Sequence, residues 1–204
     1  MLSDLVKDHF QIHTREIRMT TFPHENSQVI VAGELIDTRY IKIFDITGKV
    51  LEPGTIHHIR LFCRIAPDPL RIIEAEADMP VIPMPDCRTT LDRVPLLAGL
   101  KIKSGFTRRV SDIMGGTRGC THLATLTKAM AQEMVHGWLT QKRREPTTLP
   151  ESIEDIKEKG FLVDSCRMWK KDGPKIQALA QAIQKESRNR KKHCNLGSCS
   201  QTQN

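Results

Sequence analysis

The sequence predicts an α+β domain, an antiparallel β-meander of three to five strands followed by three packed helices, with a C-terminal helical appendage. From residue 14 to residue 77, apolar and β-branched residues recur with the alternation of strands. After the proline-rich stretch MPVIPMPDC, the apolar residues recur at helical spacing instead. No apolar run approaches the roughly 20 residues that a membrane-spanning helix needs, so we expect no membrane association.

Five segments carry the strand pattern, and short turns at TGK, PG and PDP separate several of them: EIRMTTF, QVIVAGELIDT, YIKIFDI, HIRLFCRI and LRIIEAEA. Consecutive strands joined by short connections usually pair as antiparallel neighbours.

Three helices are predicted after these strands. The first lies in DCRTTLDRVPLLAG, with Asp86 as its N-cap, Pro95 shortening it and Gly99 ending it. The second lies in SGFTRRVSDIMGG, and the third runs from about residue 121 to residue 141.

The chain divides into four predicted parts: an N-terminal arm (1–12), the core α+β domain (13–143), a helical appendage (144–187) and a disordered basic and polar tail (188–204). Within the appendage, ESIEDIKEKG predicts a short charged helix, and GPKIQALAQAIQKES predicts an amphipathic helix that packs on the core or on a partner.

The composition narrows the classes of function. The formal net charge is +7, and the basic residues cluster in QKRRE, WKK and RNRKK. Only one tyrosine is present, and no group of aromatic residues on which bases could stack accompanies this charge. We therefore expect the partner to be an unidentified protein rather than a nucleic acid. The start of the chain lacks the apolar core of a secretory signal, which predicts a cytoplasmic protein whose six cysteines are reduced. Glycine-rich nucleotide-binding loops, HExxH and GxSxG are absent from the sequence.

The stretch GGTRGCTHL places Cys120 and His122 where a glycine-rich loop meets the third helix. Unpaired backbone N–H groups at a helix N-terminus, together with Arg118, stabilise a thiolate. A neutral histidine is a base or a metal ligand near pH 7. Residues two apart point to nearly opposite sides of a helix, so the pair shares one site only if Cys120 precedes the first turn, which Gly119 permits.

Two further residues are candidates for the same site. Cys87 is predicted at a helix start, and Asp37 ends the long second strand, where a carboxylate can face outward or serve as an ordinary turn residue. Thiolate and imidazole ligands suit zinc and iron. By contrast, His57 and His58 are predicted to precede a strand and to be exposed, and Cys63 alternates with Ile59 as a core residue.

Four segments of the sequence together indicate a known family: GELIDT, LRIIEAEADMP, PDCRTTLDRVPLLAGLKIKSGF and GGTRGCTHL. They resemble a bacterial family known only as domain of unknown function 2889, and the resemblance covers roughly residues 13 to 140. It implies a shared fold and no particular reaction.

A more distant likeness is to the U-type scaffold proteins of iron–sulfur cluster assembly. The sequence is similar to them in the order of Asp37 in an early loop, Cys87 after a strand, and Cys120 with His122 at the last long helix. The likeness implies that these four residues hold zinc, iron or an iron–sulfur cluster. Because [2Fe–2S] clusters typically use four thiolates, a single zinc or iron ion is equally compatible with this set.

Three functions stay open at this point. The first is a metal-binding or iron–sulfur-binding accessory or scaffold-like protein. The second is a metal-free thiol protein or enzyme that uses Cys120 as nucleophile or sulfur carrier, with His122 as base and Asp37 in support. The third is a basic module that binds an acidic protein or RNA through the tail and the helix predicted at 174–187.

Overall fold

The computed structural model describes residues 1–146, 148–156 and 162–195. The chain divides into two compact units, Met1–Arg144 and Glu145–Asn204. None of the described helices is long and apolar enough to cross a membrane.

The first unit is built on a four-stranded antiparallel sheet. Its strands are β1 (His13–Pro23), β2 (Val29–Arg39), β5 (Gly54–Ala66) and β6 (Arg71–Val81), and they lie in the order β1-β2-β5-β6. Two short strands, β3 (Ile43–Phe44) and β4 (Val50–Leu51), form a separate hairpin between β2 and β5. The predicted α+β class is confirmed, although most of YIKIFDI lies outside strands.

The alternation along β2 decides which face of the sheet is buried. Val29, Val31 and Leu35 are fully buried on one face. Gly33 lies on that face too, and a Cβ there would overlap the side chain of Met130, so glycine lets the covering helix approach the strand closely. Asp37 continues the same alternation and therefore points toward the core rather than toward solvent.

Five helical segments of the described residues belong to the first unit. They are α1 (Leu2–Leu5), a run of 3-10 turns (Pro85–Leu97), α2 (Phe106–Met114), a single 3-10 turn (Gly116–Arg118) and α3 (Thr121–Lys142). The helix α3 packs on β1, β2 and β5 and also contacts α2. Its buried residues form the stripe that the sequence predicts; they include Leu123, Leu126, Met130, Met134 and Trp138.

The first predicted helix is a run of 3-10 turns rather than an α-helix, and its N-cap position is Met84 instead of Asp86. Two threonine hydroxyls explain part of the difference, because they donate to the carbonyls of Asp86 and Cys87, each at 2.7 Å. A carbonyl engaged in this way competes with the α-helical hydrogen bond. Pro95 supplies no N–H of its own.

The second unit contains a 3-10 turn (Arg167–Trp169) and the helix α4 (Pro174–Asn195). The helix includes the predicted amphipathic segment and reaches Asn195, inside the segment predicted as a disordered tail. Residues 196–204 lie outside the described residues. Of the predicted charged helix, residues 151–156 form bends and turns, and residues 157–160 lie outside the described residues.

Candidate functional site

A row of three polar side chains crosses the buried face of the sheet near one end of β2. Arg15 on β1 and His57 on β5 are the cross-strand partners of Asp37 on β2. The guanidinium of Arg15 donates from Nε to Oδ1 of Asp37 at 2.7 Å and from Nη2 to Oδ2 at 2.8 Å. Nδ1 of His57 lies 3.1 Å from the same Oδ2. The antiparallel register therefore assembles this contact directly.

The carboxylate of Asp37 is held in its charged form. Its side chain is only 2 % exposed, and burial alone would favour the neutral acid. The hydrogen bonds from Arg15 are the largest influence and lower the pKa of Asp37 below its usual value. At neutral pH this buried group is consequently an anion with its charge matched by one guanidinium.

The start of α3 adds a second histidine to this row. Nε2 of His122 lies 3.6 Å from Oδ2 of Asp37. The imidazole of His122 stacks on that of His57, with ring centroids 3.8 Å apart and an interplanar angle of 29°. One carboxylate and two imidazoles, drawn from β2, β5 and α3, thus meet at a single point.

Burial favours the neutral form of both histidines. Burial is the largest influence on each ring and lowers the pKa of His57 and of His122 below 6.5. For His122 the neighbouring His57 lowers the pKa further, because two stacked rings disfavour a second positive charge. A neutral imidazole has a free lone pair, which is the form that accepts a proton or binds a metal ion.

Cys120 lies on the other side of the His122 ring. Its sulfur is 3.9 Å from Nδ1 of His122, whereas Nε2 of that ring faces Asp37. Cys120 is the N-cap residue of α3, with extended backbone angles (φ −94°, ψ 125°) and no side-chain capping bond. The cysteine therefore precedes the first turn, which is the condition for residues 120 and 122 to contact each other.

The structure places the four residues predicted as metal ligands differently from one another. In the part of the chain that the structure describes, the group whose donor atoms all lie within 4.8 Å of one another consists of Asp37, His57 and His122. Cys120 adjoins this group through His122. Cys87 is half-buried in the 3-10 run, outside the group. The four-residue ligand set with both cysteines accordingly stays a prediction.

Two sequence-based placements are wrong. Asp37 lies inside a strand with a neighbour on each side, rather than in a loop or facing outward. His57 lies inside β5 with a side chain only 15 % exposed, rather than exposed ahead of a strand. The available signal was the alternation of Ile59 with Leu61 and Cys63, which extends backward to His57 and assigns it to the core face.

His58 occupies the opposite face of the sheet. Its Nε2 lies 2.7 Å from Oε1 of Glu34, and its side chain is 25 % exposed. Adjacent residues of a strand point to opposite faces, so the two consecutive histidines belong to different environments. His58 is for this reason a matched control for experiments on His57.

Comparisons with known proteins give a family and no activity. Residues 13–136 match the model of a family described as "Protein of unknown function (DUF2889)". Neither the curated proteins nor the solved structures contain a match. The likeness to iron–sulfur scaffold proteins thus gains no support from these comparisons.

Proposed function

The chain belongs to the DUF2889 family, and since that family brings no activity with it, we propose from the site geometry that the protein binds one divalent metal ion. The proposed ligands are Asp37, His57 and His122. The observation that carries the proposal is the clustering of their donor atoms within 4.8 Å. Two imidazoles and one carboxylate are a ligand set typical of zinc and of non-haem iron.

The distances between donors fit a metal ion of that size. With metal–ligand bonds of about 2.0–2.1 Å, tetrahedral donors lie about 3.3 Å apart. Oδ2 of Asp37 is 3.1 Å from Nδ1 of His57 and 3.6 Å from Nε2 of His122. Each imidazole nitrogen therefore already lies close to the spacing from Asp37 that one ion requires, and binding replaces the hydrogen bond between Asp37 and His57.

Metal binding demands one local rearrangement. Two imidazoles that bind one tetrahedral ion have ring centroids about 5 Å apart, given the same bond lengths. The stacked rings of His57 and His122 are 3.8 Å apart, so they must separate as the ion enters. Asp37 stays in place during this movement, because Arg15 donates hydrogen bonds to both of its carboxylate oxygens. Residues that hydrogen-bond to a metal ligand in this way orient it for the ion.

The donor chemistry favours a single ion over a cluster. Iron–sulfur clusters rest mainly on thiolates, whereas the three clustered donors are nitrogen and oxygen. Three protein ligands leave at least one coordination position for water or a substrate, which is the arrangement of reactive rather than purely structural sites. In this proposal the protein is a metal-binding accessory protein whose ion keeps one coordination position open.

The test is the metal content of protein purified anaerobically, together with equilibrium dialysis of chelator-treated protein against zinc. We expect about one ion per chain in the wild type and loss of that ion in His122→Ala. Retention of the wild-type amount by the variant, or a metal content near zero in wild-type protein after dialysis, contradicts the proposal.

Thiol chemistry at Cys120 is a second candidate, and the contacts of His122 favour it. The ring faces the sulfur through Nδ1 at 3.9 Å and Asp37 through Nε2 at 3.6 Å. This order of nucleophile, base and orienting carboxylate is that of an activated thiol. In this scheme the sulfur attacks an electrophile while His122 takes the thiol proton on Nδ1.

Alkylation by iodoacetamide in the presence of a chelator tests this second candidate. We expect Cys120 to react at pH 6.5 faster than Cys166, an exposed cysteine of the second unit, and to slow in His122→Ala. The buried Cys63 is an internal negative control, because burial raises the pKa of its thiol to about 12. Equal rates at Cys120 and Cys166 exclude an activated thiol.

A further inference from the structure

The two nitrogens of the His122 ring have separate partners. Nε2 faces Asp37 at 3.6 Å, inside the proposed single-ion site, and Nδ1 faces the sulfur of Cys120 at 3.9 Å. A ring that binds an ion through Nε2 keeps Nδ1 free to contact another group. The side chain in contact with Nδ1 is that of Cys120.

The backbone holds Cys120 in place without the help of its side chain. The carbonyl of Cys120 accepts the N–H of Ala124 at 2.9 Å, which makes residue 120 the N-cap of α3. Its side chain makes no capping hydrogen bond. The sulfur is consequently not engaged in starting the helix, and its contact with His122 is independent of that role.

Metal binding fixes where the ring proton must lie. A neutral imidazole that donates the lone pair of Nε2 to a metal ion carries its proton on Nδ1. Metal-bound histidines nearly always donate this second N–H to an acceptor, which orients the ring and sets its tautomer. For His122 the acceptor within reach of Nδ1 is the sulfur of Cys120.

Resting on the metal site proposed above, we propose that Cys120 is a positioning residue that accepts the Nδ1–H of His122 and so prepares Nε2 for the ion. Cys120 acts through His122 and is not itself a ligand. The metal site is thereby thiol-dependent, since removal or blockage of this sulfur weakens binding of the ion without altering any of the three ligands.

Zinc affinities of wild-type protein, Cys120→Ala and Cys120→Ser, measured by competition with a chromophoric chelator between pH 6 and pH 8, test this role. Removal of the residue that hydrogen-bonds to a metal ligand typically weakens metal binding by about 10- to 100-fold, and we expect a fall in zinc affinity of this size in Cys120→Ala. Serine keeps an acceptor at this position, so Cys120→Ser should recover much of the affinity. Cys166→Ala is the control, because that cysteine belongs to the second unit.

Cobalt substitution separates a positioning role from direct ligation. A cysteine ligand gives a thiolate-to-cobalt charge-transfer absorption in the near ultraviolet, and we expect the wild-type cobalt protein to lack it. The presence of this absorption in the wild type and its loss in both variants would make Cys120 a ligand and overturn the positioning role.

The remaining outcomes are equally decisive. Wild-type affinity and pH dependence in Cys120→Ala refute the positioning role and leave the metal site standing. A wild-type protein that takes up neither zinc nor cobalt refutes the metal site, and the role of Cys120 falls with it. Unfolding midpoints of all variants, measured alongside, exclude a loss of affinity caused by misfolding.

Discussion

Replacement of Asp37 by asparagine tests the row of polar side chains that crosses the sheet near one end of β2. The carboxylate accepts two hydrogen bonds from Arg15 and lies 3.1 Å from Nδ1 of His57. Asparagine has nearly the same size but presents an NH2 group to one of these donors. At least one charge-assisted hydrogen bond is therefore lost, and the guanidinium loses its counter-charge.

The magnitude follows from burial. A hydrogen bond to a charged group contributes about 1.5–3 kcal/mol. Because the side chain of Arg15 is 40 % exposed and can turn toward water, we count only one such bond. We therefore expect the free energy of unfolding of Asp37→Asn to fall by about 2 kcal/mol. For a chain of this size that corresponds to a fall in Tm of about 4–8 °C.

The chain offers a matched control for this experiment. Arg60 and Asp78 form the same two-pronged pair on neighbouring strands of the sheet, but their side chains are 44 % and 50 % exposed. Asp78→Asn should leave the Tm unchanged within error, since exposed ion pairs contribute little. The assay is thermal unfolding at pH 7 with a chelator present, followed by circular dichroism. Equal Tm values for Asp37→Asn and wild type, or an equal fall in both variants, refute the reasoning.

Two other predictions concern pH and packing. The pKa values of His57 and His122 are lower in the folded state than their unfolded value of 6.5, so the unfolded chain binds more protons below that pH. The free energy of unfolding should therefore stay constant above about pH 6.5 and fall toward about pH 5. In urea titrations, a double variant with His57→Gln and His122→Gln should show a flatter dependence of this free energy on pH. A profile as steep in the double variant as in the wild type contradicts it. Gly137 of α3 packs against Thr21 so closely that a Cβ would overlap the threonine side chain, and Gly137→Ala should cost about 1–3 kcal/mol in the same assay. An unchanged free energy of unfolding in Gly137→Ala would show that the helix shifts away from β1 at no cost.

Local periodicity was sufficient to predict most of the fold. Alternation identified the segments of β1, β2, β5 and β6, and the apolar stripe identified α3. It failed in the segment after β6, where hydroxyl-to-carbonyl bonds and Pro95 favour 3-10 turns over an α-helix. Such competition depends on individual side chains, which a pattern of apolar spacing does not register.

The candidate site was harder to predict because it depends on register. Arg15, Asp37 and His57 come from three strands, and they meet only because residue 37 pairs with residue 15 on one side and residue 57 on the other. The register between β2 and β5 shifts directly after Asp37. A β-bulge of this kind changes which residues face each other, and a single sequence gives no direct sign of it.

The contact between Cys120 and His122 could be predicted because it is local in the sequence. Cys120 and His122 are two residues apart, so the start of α3 alone determines whether they meet. Gly119 and the apolar stripe that follows locate this helix start in the sequence. The sequence therefore indicated Asp37, Cys120 and His122, whereas Arg15 and His57, which reach the site through strand pairing, were missed.

Zinc titration of His57→Ala and His58→Ala, side by side in an isothermal calorimeter, tests the central claim most directly. The two histidines are neighbours in sequence, but only His57 contacts Asp37 and His122, whereas His58 pairs with Glu34 on the other face. We predict that His58→Ala binds one zinc ion per chain with wild-type affinity and that His57→Ala does not bind at the same concentration. Equal affinities in the two variants would contradict a metal site formed by Asp37, His57 and His122.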